Sequence, residues 1–184
     1  GKKLSFKEFI VSRAFSISYL IVIISIWLIF GFGHWGCHRC ETFGQNLACN
    51  CAIWPSKIFT APHEYLLSFF TSPFFHNDFE HLIFIIIGIG IFCQSFESRA
   101  GAKSTSLVFF SSIAFTSLIL GLTMNLGHFL SPENELFSEA MNRCWMGGSV
   151  GMMGVIGALS HYSRRKWIVP LIVVLFELWN RYEN

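Results

Sequence analysis

The sequence predicts an all-α, polytopic helical membrane protein, and three observations carry this prediction. Of the 184 residues, 53% are hydrophobic, only 13% are charged, and 21 are Phe. The mean hydropathy is +0.52, well above zero, which together with the few charges favours a membrane protein over a water-soluble domain. The apolar residues are collected in stretches close to the length of about 20 residues at which a helix crosses a bilayer. We therefore expect one membrane domain over residues 1–184.

Five apolar stretches are candidate membrane spans, at residues 14–32, 79–96, 106–126, 146–162 and 167–180. The second and the fourth are short and contain Gly. Irregular backbone at membrane depth must line a cavity or be buried in protein, so short spans are expected around a water-filled site. The first stretch is longer than the apolar core of a signal peptide and has no small-residue cleavage site after it, which favours a retained helix.

Basic residues predict the orientation, because loops on the cytoplasmic, matrix or stromal side are rich in Lys and Arg. Most of them fall on one predicted side: Lys2, Lys3, Lys7, Arg13, Arg99, Lys103, Arg164, Arg165 and Lys166. We therefore expect the N-terminus inside and Ser149 near the outer end of the fourth span. The basic inner flank and the outer cysteines suit the mitochondrial inner membrane, which we prefer. A prokaryotic plasma membrane and the secretory pathway fit the same pattern.

The long outer loop, about residues 33–78, contains a Cys-x-x-Cys pair and then a Cys-x-Cys pair: Cys37, Cys40, Cys49 and Cys51. We expect two disulfides here, with three possible connectivities, since the outer side is often oxidising. A zinc site with His34 and His38 as further ligands is the alternative. The tight second pair favours disulfides, so we predict no metal site. We interpret Cys93 as a membrane-buried small hydrophobe and Cys144 as a loop-end thiol.

Two arrays of chemically distinctive residues remain. In the fourth stretch, Ser149 lies in a run of Gly and apolar residues, where a hydroxyl serves either packing or chemistry. Gly147 and Gly151, four residues apart, form a small-x-x-x-small pair that allows a second helix to approach closely. The other array lies far upstream and consists of His76, His81, Glu97 and Gly101.

The upstream array resembles the first signature of the rhomboid intramembrane serine proteases. That signature begins with two His residues separated by four others, and the second His starts an H-L/I-x-x-N motif. A Glu and a Gly follow at the inner end of the helix. His76 and His81 match the two His positions, and Glu97 and Gly101 match the later pair in register. The Asn position is occupied by Ile85.

The downstream array resembles the family's second signature, Gly-x-Ser-Gly. Gly147, Gly148 and Ser149 match its first three positions, and Gly157 matches a later glycine. Val150 stands where the family has the second Gly. The resemblance covers roughly residues 60–180 and implies a rhomboid-like bundle with Ser149 as the candidate nucleophile.

The resemblance also implies roles for the other matched residues. His81 is the candidate oxyanion support, and His76, Gly147 and Gly148 belong to the binding region around the serine. Glu97, Gly101, Gly151 and Gly157 are expected to be structural.

Peptide hydrolysis by a serine needs a base to activate the hydroxyl and donors to stabilise the oxyanion. The family supplies the base as a His on a sixth core helix and one donor as the Asn of its first signature. Here that Asn is Ile85, and Val150 adds a β-branched side chain beside the serine. After Ser149 the sequence has only His161, about 18 Å further along the same helix at 1.5 Å per residue, which is too far to act as the base.

Two functions are therefore open. The first is a non-catalytic rhomboid-like protein that acts as a scaffold or subunit of a membrane protein complex. The alternative is an active intramembrane serine protease that uses Ser149 with a His on a sixth helix beyond Asn184. We favour the first, because several catalytic features fail together. Both predict the lipid bilayer and other transmembrane proteins as partners, no cofactor, and no nucleic acid, for which the sequence has no motif.

Overall fold

The computed structural model describes residues 5–30, 41–162, 164, 166–168, 171 and 175. Throughout these residues the fold is all-α, which confirms the predicted class. The helices are α1 (Phe6–Val11), α2 (Ala14–Phe30), α3 (Phe43–Cys51), α4 (Lys57–Thr60), α5 (Pro62–Thr71), α6 (Phe79–Gly88), α7 (Gln94–Ala100), α8 (Ala102–Leu130), α9 (Glu135–Met141) and α10 (Ser149–Ser160). A 3-10 turn, Ser72–Phe74, follows α5, and a π-helical turn, Ile89–Cys93, joins α6 to α7.

Two of the described helical segments are long and apolar enough to cross a bilayer. They are the continuous helix Phe79–Ala100 and α8, with 22 and 29 residues. The helices α2 and α10 are apolar but shorter, with 17 and 12 residues. The fourth predicted span begins three residues later than expected, at Ser149, and most of the fifth lies outside the described residues.

Gly101 separates the two long helices. Its φ of 82° lies in the left-handed region, which ends α7, and its N–H donates to the carbonyl of Glu97 at 2.8 Å. Glycine adopts this conformation without the steric cost that a Cβ imposes. With a ψ of 161°, Gly101 redirects the chain, so that α8 begins at Ala102 and packs back against α7.

The core lies where α2, α6, the π-helical turn, α8 and α10 meet. Its buried side chains include Ile23, Ile85, Ile89, Cys93, Phe109, Ile113, Met152 and Val155. Cys93 has no exposed surface, which confirms the interpretation as a buried small hydrophobe. At Gly151, an added Cβ would lie 2.7 Å from the ring of Phe109, so the missing side chain lets α10 approach α8 closely.

Glu97 connects α7 to the beginning of α2. Only 1% of this residue is exposed. Its carboxyl group accepts hydrogen bonds from the backbone N–H of Phe15 at 2.7 Å, and from the N–H and the hydroxyl of Ser16 at 2.9 and 2.7 Å. First-turn N–H groups have no partner inside their own helix, and here a side chain from another helix provides one.

The prediction of disulfides among the four loop cysteines is not supported as made. Cys51 is a free thiol, so its predicted pairing is wrong. Cys49 is disulfide-bonded, and so is Cys144, which the sequence suggested was a free thiol. No complete bridge lies within the described residues, and Cys37 and Cys40 lie outside them. Burial raises the pKa of the Cys51 thiol, which keeps it protonated and unreactive near neutral pH.

Candidate functional site

Ser149 is the first residue of α10 and is half-buried. No side chain caps the N-terminus of this helix. Its first-turn N–H groups are therefore available to an incoming acceptor, and the helix dipole favours negative charge at this end. Among the described residues, the Ser149 hydroxyl has no hydrogen-bond partner.

The turn before Ser149 is fixed by the outer loop. Gly147 has a φ of 113°, and its N–H donates to the carbonyl of Ser72 at 3.0 Å. Two residues earlier, Trp145 forms an antiparallel bridge with Ile53, with N···O distances of 2.8 and 2.9 Å. A Cβ added at Gly147 would lie 2.4 Å from Cε1 of His81, so the imidazole packs directly on this glycine.

Tyr19 of α2 supports the same turn from the other side. Its hydroxyl donates to the carbonyl of Pro73 at 2.6 Å. A Cβ added at Gly148 would lie 2.1 Å from the Tyr19 oxygen, so the phenol ring fills the space above that glycine. Sequence reasoning did not identify Tyr19, because it is one aromatic residue in an apolar stretch and no motif includes it.

The two histidines of the first signature lie together. Their ring centroids are 5.2 Å apart in an edge-to-face arrangement. His81 is in the first turn of α6, where its N–H donates to the side chain of Asp78, the N-cap, at 2.7 Å. Burial, with the neighbouring His81, lowers the pKa of His76 to about 3.

This burial predicts acid sensitivity. The unfolded chain takes up a proton at His76 near pH 6.5, whereas the folded chain does so only near pH 3. The unfolded state therefore binds more protons in this window, and the free energy of unfolding falls as the pH drops from 6.5. The expected slope reaches about 1.4 kcal/mol per pH unit, measurable by thermal unfolding in mild detergent between pH 7.5 and 4.5.

The control is an exposed histidine. His63 has a side chain that is 84% exposed, so His63→Gln is expected to keep the acid sensitivity of the parent protein. His76→Gln is expected to reduce it, because glutamine does not titrate. Equal pH slopes in the two variants would contradict the assignment to His76.

Ser149 opens onto a cavity of about 420 Å³, here called the Ser149 cavity. It is lined by Phe84, Ser112, Phe115, Thr116, Ser149, Val150, Met153 and Gly154. None of these described lining residues is a histidine or a carboxylic acid. Ile85 lies in the apolar core with no exposed surface, and His161 follows the opposite end of α10.

The structure therefore brings part of the predicted site together. His81 contacts Gly147 in the turn before Ser149, and His76 lies beside His81. The structural pair Glu97 and Gly101 lies at the far end of the continuous helix that begins at Phe79. Among the described residues, a Cβ added at Gly157 would meet no atom within 4 Å, so no close contact with them depends on this glycine.

No metal centre is found within the part of the chain that the structure describes. There, no three or more His, Cys, Asp or Glu side chains are grouped to hold a metal ion. Four of the residues considered for a zinc site, Cys37, Cys40, His34 and His38, lie outside the described residues.

In a comparison with protein families, the rhomboid domain model matches residues 63–179. The chain belongs to the rhomboid family. The match includes both signatures and all the residues given above for the Ser149 cavity, and with the apolar helices it supports a rhomboid-like membrane protein. The helices α1 to α4 of this rhomboid protein precede the matched region. Comparisons with curated proteins and with solved structures find no match.

Proposed function

We propose that this rhomboid protein is a non-catalytic membrane scaffold or complex subunit, which binds transmembrane segments of other proteins at the Ser149 cavity. The observation that carries this proposal is the position of Ile85. It occupies the place where the family resemblance implies an oxyanion donor, and it is fully buried among apolar side chains. Loss of one such donor reduces the rate by about 10²- to 10³-fold.

Val150 supports the same proposal. This residue is 37% exposed and lines the Ser149 cavity directly after the serine. The family resemblance implies a glycine at this position, so the isopropyl group occupies space that a scissile peptide would need beside the nucleophile. The Ser149 hydroxyl also lacks a base among the described residues.

The composition of the cavity supports binding. Its lining includes three hydroxyl-bearing residues, Ser112, Thr116 and Ser149, together with the aromatic side chains of Phe84 and Phe115. Small and hydroxyl-bearing residues promote association of helices in membranes, because they allow close approach and interhelical hydrogen bonds. The proposed partners are therefore transmembrane helices of other proteins. We place this function in the mitochondrial inner membrane, with the N-terminus inside, on the sequence pattern alone.

One feature favours the alternative, an active protease with its base on a helix beyond Asn184. The first-turn N–H groups of α10 have no side-chain cap, and His81 lies against Gly147 in the same turn. Such donors at a helix N-terminus suit the stabilisation of an oxyanion.

A fluorophosphonate probe distinguishes the two functions, since it reacts with activated serines. We expect the folded protein in mild detergent to be labelled no more than its Ser149→Ala variant, because the hydroxyl is not activated. Labelling is measured by in-gel fluorescence, and folding by a monodisperse elution profile.

Specific labelling that disappears in Ser149→Ala would overturn the non-catalytic proposal. The control is Ser112→Ala, which removes another hydroxyl from the same cavity. Any background reaction with the cavity hydroxyls is expected to be equal in the two variants.

A further inference from the structure

The Gly101 turn marks one end of the helical bundle. Both helices that meet there are long and apolar enough to cross a bilayer, so the turn lies at a membrane surface. The helix α2 begins at the same end, because the Glu97 carboxyl group bonds to the N–H of Ser16. The helix α10 ends there, since Tyr162, just after that helix, packs on Phe96 with ring centroids 5.9 Å apart.

Three cationic side chains are gathered at this end of the bundle, here called the basic end: Arg13, Arg99 and Lys103. Arg13 immediately precedes α2, whereas Arg99 and Lys103 lie two residues on either side of Gly101. Arg99 and Lys103 are exposed, and Arg13 is half-buried. The opposite end of α8 is instead followed by acidic residues: Glu133, Glu135 and Glu139.

No carboxylate of the described residues neutralises the basic end. The ion pairs found in that part of the chain join Glu64 to Lys57 and His63, far from the Gly101 turn. The two nearest carboxyl groups act within the helices. Glu8 accepts a hydrogen bond from the N–H of Ser5 at 2.7 Å, and Glu97 is buried against α2. The cations therefore repel one another without compensation, and an anionic partner would relieve this repulsion.

The short helix α1 adds exposed apolar residues to the basic end. Phe9, Ile10 and Val11 are exposed, Val11 by 65%. The Arg13 guanidinium lies 4.2 Å from the centroid of the Phe9 ring and donates to the hydroxyl oxygen of Ser12 at 2.9 Å. The cation and the apolar residues thus form one surface. Such a combination suits a helix that lies in the interface between headgroups and acyl chains.

We propose that the basic end binds anionic phospholipids. Their phosphates lie against Arg13, Arg99 and Lys103, and their acyl chains lie against the apolar residues of α1. Arginine suits this role because its guanidinium can form two parallel hydrogen bonds to one phosphate. A lipid fits better than an acidic protein, because the exposed residues of α1 lie at a membrane surface, where acyl chains are present. This binding is independent of the function proposed for the Ser149 cavity.

The proposal predicts a preference among headgroups, which basic residues that only orient a chain do not require. The test is native mass spectrometry of the full chain in mild non-ionic detergent, which resolves each bound lipid. Phosphatidylglycerol and phosphatidylcholine with identical acyl chains are compared. We expect phosphatidylglycerol to bind at least about tenfold more tightly, and this difference to shrink as the ionic strength rises.

The variant Arg99→Gln with Lys103→Gln removes two exposed cations of the basic end. Each cation at a membrane surface contributes about fivefold to the binding of anionic lipid, so phosphatidylglycerol is expected to bind about 10- to 30-fold more weakly. Phosphatidylcholine binding is expected to stay unchanged. The matched control is Lys57→Gln with Arg143→Gln, which removes the same charge near the opposite end of α8. This control is expected to bind phosphatidylglycerol like the parent protein.

Several results would overturn the proposal. Equal affinity of the parent protein for the two lipids is one, and it needs no variant, so a misfolded variant leaves the test in force. Equal weakening in both charge pairs is another, because it would show an effect of total charge. Competition by glycerol phosphate as strong as by phosphatidylglycerol would indicate a site for free anions. Unchanged phosphatidylglycerol binding in Arg99→Gln with Lys103→Gln, together with loss of polyglutamate binding, would indicate an acidic protein as the partner.

Discussion

Replacement of Glu97 by Leu is expected to lower the free energy of unfolding by about 3–5 kcal/mol. The carboxyl group is buried and accepts three hydrogen bonds from Phe15 and Ser16 at the beginning of α2. Leucine has a similar size but accepts no hydrogen bond, so the N–H groups of Phe15 and Ser16 and the Ser16 hydroxyl lose their partner. Each buried group left without a partner costs about 1–3 kcal/mol.

The measurement is reversible unfolding in mixed detergent, with helix content followed by circular dichroism. Glu97→Gln keeps one acceptor oxygen and is expected to lose about half as much stability. Ser16→Ala removes only the hydroxyl donor and is expected to cost about 1 kcal/mol. A loss below about 1 kcal/mol in Glu97→Leu would show that water or lipid satisfies these N–H groups, and that α2 is held by apolar packing alone.

Gly147→Ala is expected to destabilise the protein by about 2–4 kcal/mol, for two separate reasons. The φ of 113° is unfavourable for any residue with a Cβ, and that Cβ would lie 2.4 Å from the His81 ring. The turn cannot move freely, because the N–H of Gly147 donates to Ser72 and the neighbouring Trp145 is bridged to Ile53.

Gly157→Ala is the matched control on α10 itself. Its added methyl group meets no atom of the described residues within 4 Å, and alanine favours helix over glycine by about 1 kcal/mol, so this variant is expected to be neutral or more stable. Combining Gly147→Ala with His81→Ala removes the clash and keeps the backbone strain, which separates the two costs. Equal melting temperatures for Gly147→Ala and Gly157→Ala would contradict the account of the turn.

Much of the fold could be predicted because a lipid environment constrains sequences strongly. Long apolar stretches become helices, as at Phe79–Ala100 and α8. His81 lies in the first turn of α6 and His76 lies shortly before that helix, and their rings are in contact. These are local relations, set by spacing along one segment, and sequence alone reports them well.

Relations between distant segments could not be predicted in this way. Nothing in the sequence near Glu97 indicates that its partners are Phe15 and Ser16, about 80 residues earlier. The start of α10 was also misjudged. Met146 is apolar because it packs with Ala48 and Phe75 in a small cluster of the outer loop, and hydropathy does not distinguish this packing from membrane burial.

The hydrogen bonds between Glu97 and α2 also bear on how this protein can be divided. The region that matches the rhomboid domain model begins at residue 63, after α2 has ended. A fragment cut at that boundary would leave the buried Glu97 carboxyl group without its partners and would remove Tyr19 from Gly148. The unit that can be exchanged between rhomboid proteins, or expressed as a minimal domain, therefore includes α2. The family match shows which residues are similar in sequence. The cooperative folding unit is larger than residues 63–179, because it includes α2.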